Sequence, residues 1–161
     1  MLDHNEVDLV CTLDDHIYNS DYVIAHEETV GVHFVAAAQN PIAKKRNISA
    51  EELVAQPFLL TEAGMSYRRL FDEWLAQRSL QVHPVLEMSS ADQLCDLVAK
   101  NLGISLLPEY VTEQAVTDGR ILRLNVADFP IRLWEQLLYR KDKWISAAME
   151  AVISYFKNTL A

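Results

Sequence analysis

No run of apolar residues in this chain nears the ~18 to 20 needed to span a bilayer, so no membrane partner is expected. Its opening, MLDHNEVDLV, has neither a basic stretch nor an apolar one. It does not read as a secretory leader, and the cytoplasm is the expected compartment. Glycine is scarce, with four in 161 residues. None of G-x-G-x-x-G, the phosphate-binding loop or G-x-S-x-G occurs, which excludes the signatures of dinucleotide, nucleotide and serine-hydrolase chemistry. Two cysteines, Cys11 and Cys95, are too few and too scattered for a disulfide framework or a metal site. Both are expected as small buried hydrophobes. Positive charge is also short: 14 Lys and Arg stand against 23 Asp and Glu, a net charge of −9. The only basic cluster is Lys44-Lys45-Arg46. Gripping nucleic acid through phosphates needs more than that, so any DNA-reading part must lie elsewhere.

The titratable residues do not converge on a reaction. His4, His16, His26, His33 and His83 are scattered, with no H-E-x-x-H pattern. His26 and Glu28 share a face of an extended segment while Glu27 does not. Asp14-Asp15 has no base or nucleophile beside it in sequence. No catalytic residue, no metal ligand and no cofactor is therefore assigned, and the chain is not expected to be an enzyme.

What is present is an α/β pattern. Half of the residues are hydrophobic and 23% are charged, enough for a packed core. Strands are expected at 7–13, 22–25, 30–38, 57–60, 82–88, 104–107, 121–124 and 133–139. Ser49-Ala50-Glu51-Glu52 is a capping box and predicts a short helix over 50–55. Tyr67, Leu70, Phe71, Trp74 and Leu75 repeat at helical spacing, and a further helix is expected over 110–116. The last helix is predicted from Trp144 to Leu160, with Ile145, Ala148, Met149, Val152, Phe156 and Leu160 on one face. Alternation of strands and helices argues for a mostly parallel sheet.

The stretch 89–108, SSADQLCDLVAKNLGISLLP, is the most informative. Leu94, Leu97, Val98 and Leu102 form one apolar stripe, and Ser89 or Ser90 can cap the helix. Gly103 is placed to take the left-handed conformation that ends it. An apolar run and Pro108 follow. LVAKNLGISLLPEY resembles the "LVAxGLGIxLLPxx" signature of the effector domain of LysR-type transcriptional regulators. Asn40-Pro41-Ile42 resembles that family's "HPL" segment, with Asn in place of His. Ile48-Ser49, Glu52-Leu53 and Gln56-Pro57-Phe58-Leu59-Leu60 resemble "isleeLaxxPfil". Gly64 with Tyr67-Arg68 resembles "exGxxyR", Glu87-Met88-Ser89-Ser90 resembles the strand and turn before the signature helix, and Val7-Asp8-Leu9 resembles the "lDlai" strand.

The resemblance implies an α/β, two-lobe, periplasmic-binding-protein-like (type 2) architecture. Residues 1–38 and 131–161 would form a first lobe, 39–125 the second, and 126–130 the return crossover. It also implies that the first lobe is incomplete, since the family's domain opens with a strand, a helix and a second strand before "lDlai". An unfinished lobe leaves an open edge, so a homo-oligomer is expected. Effector sensing is the implied function, with DNA reached only through an absent N-terminal domain. A solute-binding protein of the same two-lobe architecture, or a non-enzymatic module that binds a small ligand, is the alternative. In open α/β sheets ligands bind beyond the carboxyl ends of strands, beside helix N-termini. That places the small-molecule site on Thr61, Glu62, Gly64, Met65, Ser66, Tyr67 and Arg68, together with Ser89 and Ser90. The hydroxyls, free amides and positive helix ends there suit a carboxylate or another small anion, and an aromatic effector is also considered. Arg68 and Arg69 stand just inside a helix start, where a cation is unfavourable by ~0.3 to 1 kcal/mol, and a bound anion would compensate. Glu62 would repel a strongly acidic ligand.

Overall fold

Residues 22–37 form one strand, not two. The computed structural model describes residues 1–4, 6–129 and 132–159. In it β2 (Tyr22–Ala37) runs straight through His26-Glu27-Glu28-Thr29, the polar stretch that reads as a break in the sequence. Its side chains simply alternate, with Glu27 and Thr29 exposed and Val30, Val32 and Phe34 buried. The chain divides into two compact units, Met1–Val30 with Arg132–Ala161, and Gly31–Ile131.

In the first unit β1 (Val10–Asp14) pairs antiparallel with β7 (Arg132–Arg140), Val10 opposite Leu138 and Asp14 opposite Trp134. β7 lies between β1 and β2 in the strand order. Leu133, Leu137 and Leu138 are buried along it. The last helix, α5 (Ala147–Thr159), begins three residues later than expected. The Ser146 hydroxyl accepts the Met149 amide at 3.3 Å and so fixes the start, leaving Trp144 81% exposed outside the helix. Of its expected apolar face Met149 is buried, Phe156 half-buried and Val152 exposed; Leu160 lies outside the described residues. Cys11 is exposed rather than buried: on β1 it faces outward, its Sγ 3.7 Å from Glu135 Oε1. Cys95 is buried as expected.

The second unit carries α1 (Ala50–Val54), β3 (Leu59–Leu60), α2 (Ser66–Ala76), β4 (Leu86–Glu87), α3 (Ala91–Ala99), β5 (Ser105–Pro108), α4 (Glu109–Thr117) and β6 (Ile121–Arg123). The capping box is present: the Ser49 hydroxyl accepts the Glu52 amide and the Glu52 carboxylate accepts the Ser49 amide. Expected strand 82–88 shrinks to two residues, because 81–84 make no ladder.

The mostly parallel sheet is not what forms. β2 pairs antiparallel with β5 and with β6, and among the described residues parallel pairing is seen in the β3–β4 ladder and in single bridges at Phe58↔Ile104 and Ile48↔Val126. Val35 faces Ser105 on one side and Arg123 on the other. α4 therefore does bring β5 and β6 into the same direction, as alternation demands. β2 is inserted between them and runs against both.

Gly103 is not the left-handed residue. Asn101 is, with φ 60°, and it closes α3 by giving its amide to Val98 O and the Leu102 amide to Leu97 O. Gly103 serves a close approach instead: a Cβ there would stand 2.7 Å from the Pro57 carbonyl oxygen. Gly119, at φ 70°, closes α4 in the same way as Asn101 closes α3. Beneath these turns Val35, Leu59, Leu94, Val98, Leu107 and Ile121 form one buried cluster. Phe34, Phe58, Phe71, Trp74 and Phe129 form an aromatic group, with neighbouring rings 4.4 to 6.4 Å apart. Each fully buried Phe contributes about 1.5 to 3 kcal/mol through area removed from water. Among the described residues no helix is long and apolar enough to cross a membrane.

Candidate functional site

β3 and β4 run side by side in the same direction, Leu59 opposite Leu86 and Leu60 opposite Glu87. Their carboxyl ends therefore point the same way, and each is followed at once by a turn and a helix start. After β3 come Thr61, Glu62, Ala63, Gly64 and Met65, then α2. After β4 come Met88, Ser89 and Ser90, then α3.

The two helix starts differ. Ser90 caps α3, its hydroxyl accepting the Gln93 amide at 3.3 Å. Met65 occupies the capping position of α2 and makes no side-chain cap hydrogen bond to the first-turn amides. Gly64, at φ 100°, gives the turn its left-handed residue, and nothing lies within 4 Å of where its Cβ would be. Met65 is 39% exposed, Glu62 and Ser89 are exposed, and Ser66 and Ser90 are half-buried.

Beneath the turn the side chains are buried. Thr61 is 1% exposed and Tyr67 3%. Burial pushes the Tyr67 phenol above its ordinary range, and the neighbouring Thr61 hydroxyl works against that rise. The Thr61 Oγ1 is cut off from solvent and makes no hydrogen bond of good geometry. Such a group costs about 1 to 3 kcal/mol unless a partner arrives.

Arg68 is 7% exposed and already paired. Its Nε donates to both carboxylate oxygens of Asp72 at 3.1 Å, and its Nη1 donates to the Thr61 carbonyl at 2.7 Å and to Glu87 Oε2 at 3.3 Å. Arg69 pairs with Glu73 at 2.7 Å. The anions that offset these two cations at a helix start are thus protein carboxylates. Asp72 was open to sequence reasoning, lying four residues after Arg68 on a helix. Glu87, nineteen residues away, carried no such signal. All nine candidate residues lie in the second unit, seven at the β3–α2 connection and two at the β4–α3 connection.

The first unit holds a separate polar cluster that sequence reasoning missed. His16 Nε2 lies 2.7 Å from Glu27 Oε2, and fully buried Gln136 donates to Glu27 at 3.4 Å while accepting the Ile17 amide at 2.7 Å. Among the described residues no group of three or more His, Cys, Asp or Glu is placed to hold a metal ion. The β3–β4 turns bring together hydroxyls, the α2 first-turn amides and the positive end of a helix.

Comparison with known proteins places this geometry in a family. A model described as "LysR substrate binding domain" matches residues 1–161. The HTH-type transcriptional activator CmpR of Synechocystis sp. is 28% identical over 137 residues, 85% of this chain and 45% of the relative. The uncharacterized HTH-type transcriptional regulator YwqM of Bacillus subtilis is 33% identical over 129 residues, 80% of this chain and 43% of the relative. The chain thus spans less than half the length of these relatives. Among solved structures, the regulatory domain of CcmR from Synechocystis PCC6803 in complex with 2-PG is similar with a TM-score of 0.78 at 20% identity, over 98% of this chain and 76% of that one. The effector binding domain of QuiR in complex with shikimate gives 0.73 at 19% identity, over 99% and 74%. These likenesses bear out the expected α/β, periplasmic-binding-protein-like (type 2) fold.

Proposed function

The chain belongs to the LysR substrate-binding domain family, and from that premise we propose that it is the effector-sensing part of a transcriptional regulator. Its lobes in this reading are residues 1–38 with 131–161 and residues 39–125, with 126–130 as the crossover. The ligand is a small molecule, a carboxylate or an aromatic compound, held by the turns after β3 and β4. Thr61, Glu62, Gly64, Met65 and Ser66 supply one side, with the buried Tyr67 and Arg68 supporting them from beneath, and Ser89 and Ser90 supply the other. No turnover takes place there: binding shifts the population of conformers presented to the rest of the regulator. DNA is reached through a helix-turn-helix region outside these residues. The regulator is a homo-oligomer and works in the cytoplasm.

One observation carries the site. α2 starts at Met65 without a side-chain cap, four residues after the buried Thr61, whose hydroxyl has the Tyr67 phenol beside it but makes no hydrogen bond of good geometry. A ligand carboxylate in that position accepts the open amides and gains from the helix dipole. The test is to fill the cap from within. Met65→Asp supplies its own carboxylate and should raise stability by about 0.5 to 2 kcal/mol. In a thermal-shift series with shikimate and other small carboxylates and aromatics, wild type should be stabilised by at least one compound and Met65→Asp by none. Equal stabilisation of both proteins would sink the site, and no response from wild type to any compound would sink the sensing role.

A further inference from the structure

The Arg68 network supports a step beyond binding, resting on the site just proposed. Thr61 is the first residue after β3, and Glu87 is the last residue of β4. Arg68, from the first turn of α2, holds both: the Thr61 carbonyl at 2.7 Å and the Glu87 carboxylate at 3.3 Å. Its remaining reach goes to Asp72, through two bonds of 3.1 Å. One buried guanidinium thus ties together the ends of two adjacent strands, at the two points where the candidate turns leave the sheet. We infer that Arg68 is a positioning residue that fixes the spacing of these turns, and that its spent charge sets the site for neutral or singly charged ligands over phosphorylated ones.

The first half follows from geometry. A guanidinium has five donors in a fixed plane and can serve three acceptors on different elements at once; an ammonium is a single point charge. The second half follows from charge. The Arg68 side chain is 8% exposed and its guanidinium faces two carboxylates, Asp72 and Glu87, whose side chains are 47% and 41% exposed. Glu62 adds an exposed carboxylate to the turn. Arg69, the neighbouring cation, is engaged with Glu73. What the turns offer an incoming anion is amides, hydroxyls and a partial helix charge of about half a unit. That matches a single carboxylate. A phosphate dianion carries twice the charge of a carboxylate, and must here approach three carboxylates, which repel it the more.

The test uses the whole chain and two readouts. In Arg68→Lys, which keeps the charge and loses the fork, amide hydrogens at 61–66 and 88–90 should exchange about tenfold faster, while those of α3 and β5 change less than about twofold. Turns that exchange no faster than in wild type would overturn the clamp. Should Arg68→Lys lose the fold, Glu87→Gln removes one acceptor only and should accelerate 88–90 alone; no acceleration there overturns the clamp equally. The second readout titrates acetate and inorganic phosphate at constant ionic strength and follows the Ser66 and Tyr67 amide resonances. In wild type acetate should act at about tenfold lower concentration than phosphate, and in Glu87→Gln, where one unit of negative charge is gone, that preference should shrink or reverse. Tighter binding of phosphate than of acetate by wild type overturns the charge preference. Resonances unmoved by either ion overturn the site and the preference with it, leaving the clamp to be decided by exchange alone.

Discussion

The two units are built by different means. The unit Gly31–Ile131 holds the aromatic group around Phe71 and the cluster around Leu94, and most of the buried apolar residues, from Val32 to Ile121, belong to it. The unit formed by the two chain ends buries Leu2, Val30, Leu133, Leu137, Leu138 and Met149, and leaves Tyr18 and Trp144 more than 80% exposed. Where one has a buried group of five aromatic rings packed mostly edge-on or tilted, the other has a hydrogen-bonded knot of His16, Glu27 and fully buried Gln136, with the His16 ring against Tyr18 and Trp134. Hydrogen bonds exchange with water and net about 1 kcal/mol each, whereas buried rings keep their gain. The difference teaches where rigidity sits: the candidate turns leave a sheet backed by the better-packed unit.

The strongest way to break that comparison is to cut matched holes. Phe71→Ala removes a fully buried ring from the centre of the aromatic group and should cost about 3 to 5 kcal/mol. Met149→Ala, on a helix whose other described side chains are exposed or half-buried, should cost about 2 kcal/mol or less, because flexible surroundings can close over the gap. Urea titrations would read this, with Trp74 reporting on one unit and Trp134 and Trp144 on the other. Equal losses would mean that the thin unit is as firmly packed as the thick one.

That difference was only partly legible beforehand. Local chemistry was: the Ser49 box, the Ser90 cap and the Leu94-Leu97-Val98 part of the expected stripe all form, because each is decided by neighbours within one turn, while Leu102, expected on the same stripe, lies past the end of α3 and is 55% exposed. Non-local decisions were not. Whether 26–29 break a strand depends on the partners beside them, and β7 and β5 keep β2 continuous past that polar stretch. Gly103 looked like a helix terminator, but Asn101 tolerates the left-handed region well enough to do that, and the glycine answers to Pro57, 46 positions away in sequence. At the site, the residue types and both turns were readable from the rule about strand ends. The partners of Arg68 were not, since only folding sets Glu87 and the Thr61 carbonyl beside it.

Gly103 supplies the next test. It lies where the turn from α3 into β5 presses on residue 57, with the Leu59 side chain 3.1 Å from the same missing Cβ. Gly103→Ala forces backbone against backbone and should cost about 1 to 3 kcal/mol by overpacking, despite φ being no obstacle to alanine. Differential scanning calorimetry should show the loss. The same substitution at Gly64, where the space is open, should cost only what its φ of 100° imposes. A neutral Gly103→Ala would show that the thick unit yields more easily than its burial suggests.

The smallest effect concerns pH and asks whether the better-packed unit also carries the acid weakness. His33 stands on β2, and the charged groups facing it are Arg123 of β6 and Glu109 of α4, themselves paired at 2.6 Å. Burial first, and then Arg123, hold its imidazole below the ordinary value of 6.5, with Glu109 opposing. A base that is harder to protonate when folded lets the unfolded chain take up the proton first. His33 therefore leaves stability intact above about pH 6.5 and drains it as the pH falls from there towards its lower folded value. Half-exposure screens the effect, so the change is modest. Between about pH 7.5 and about pH 5, the urea midpoint reported by Trp74 should fall further for wild type than for His33→Gln, which has no proton to bind. Parallel curves for the two proteins would move the acid sensitivity away from this strand.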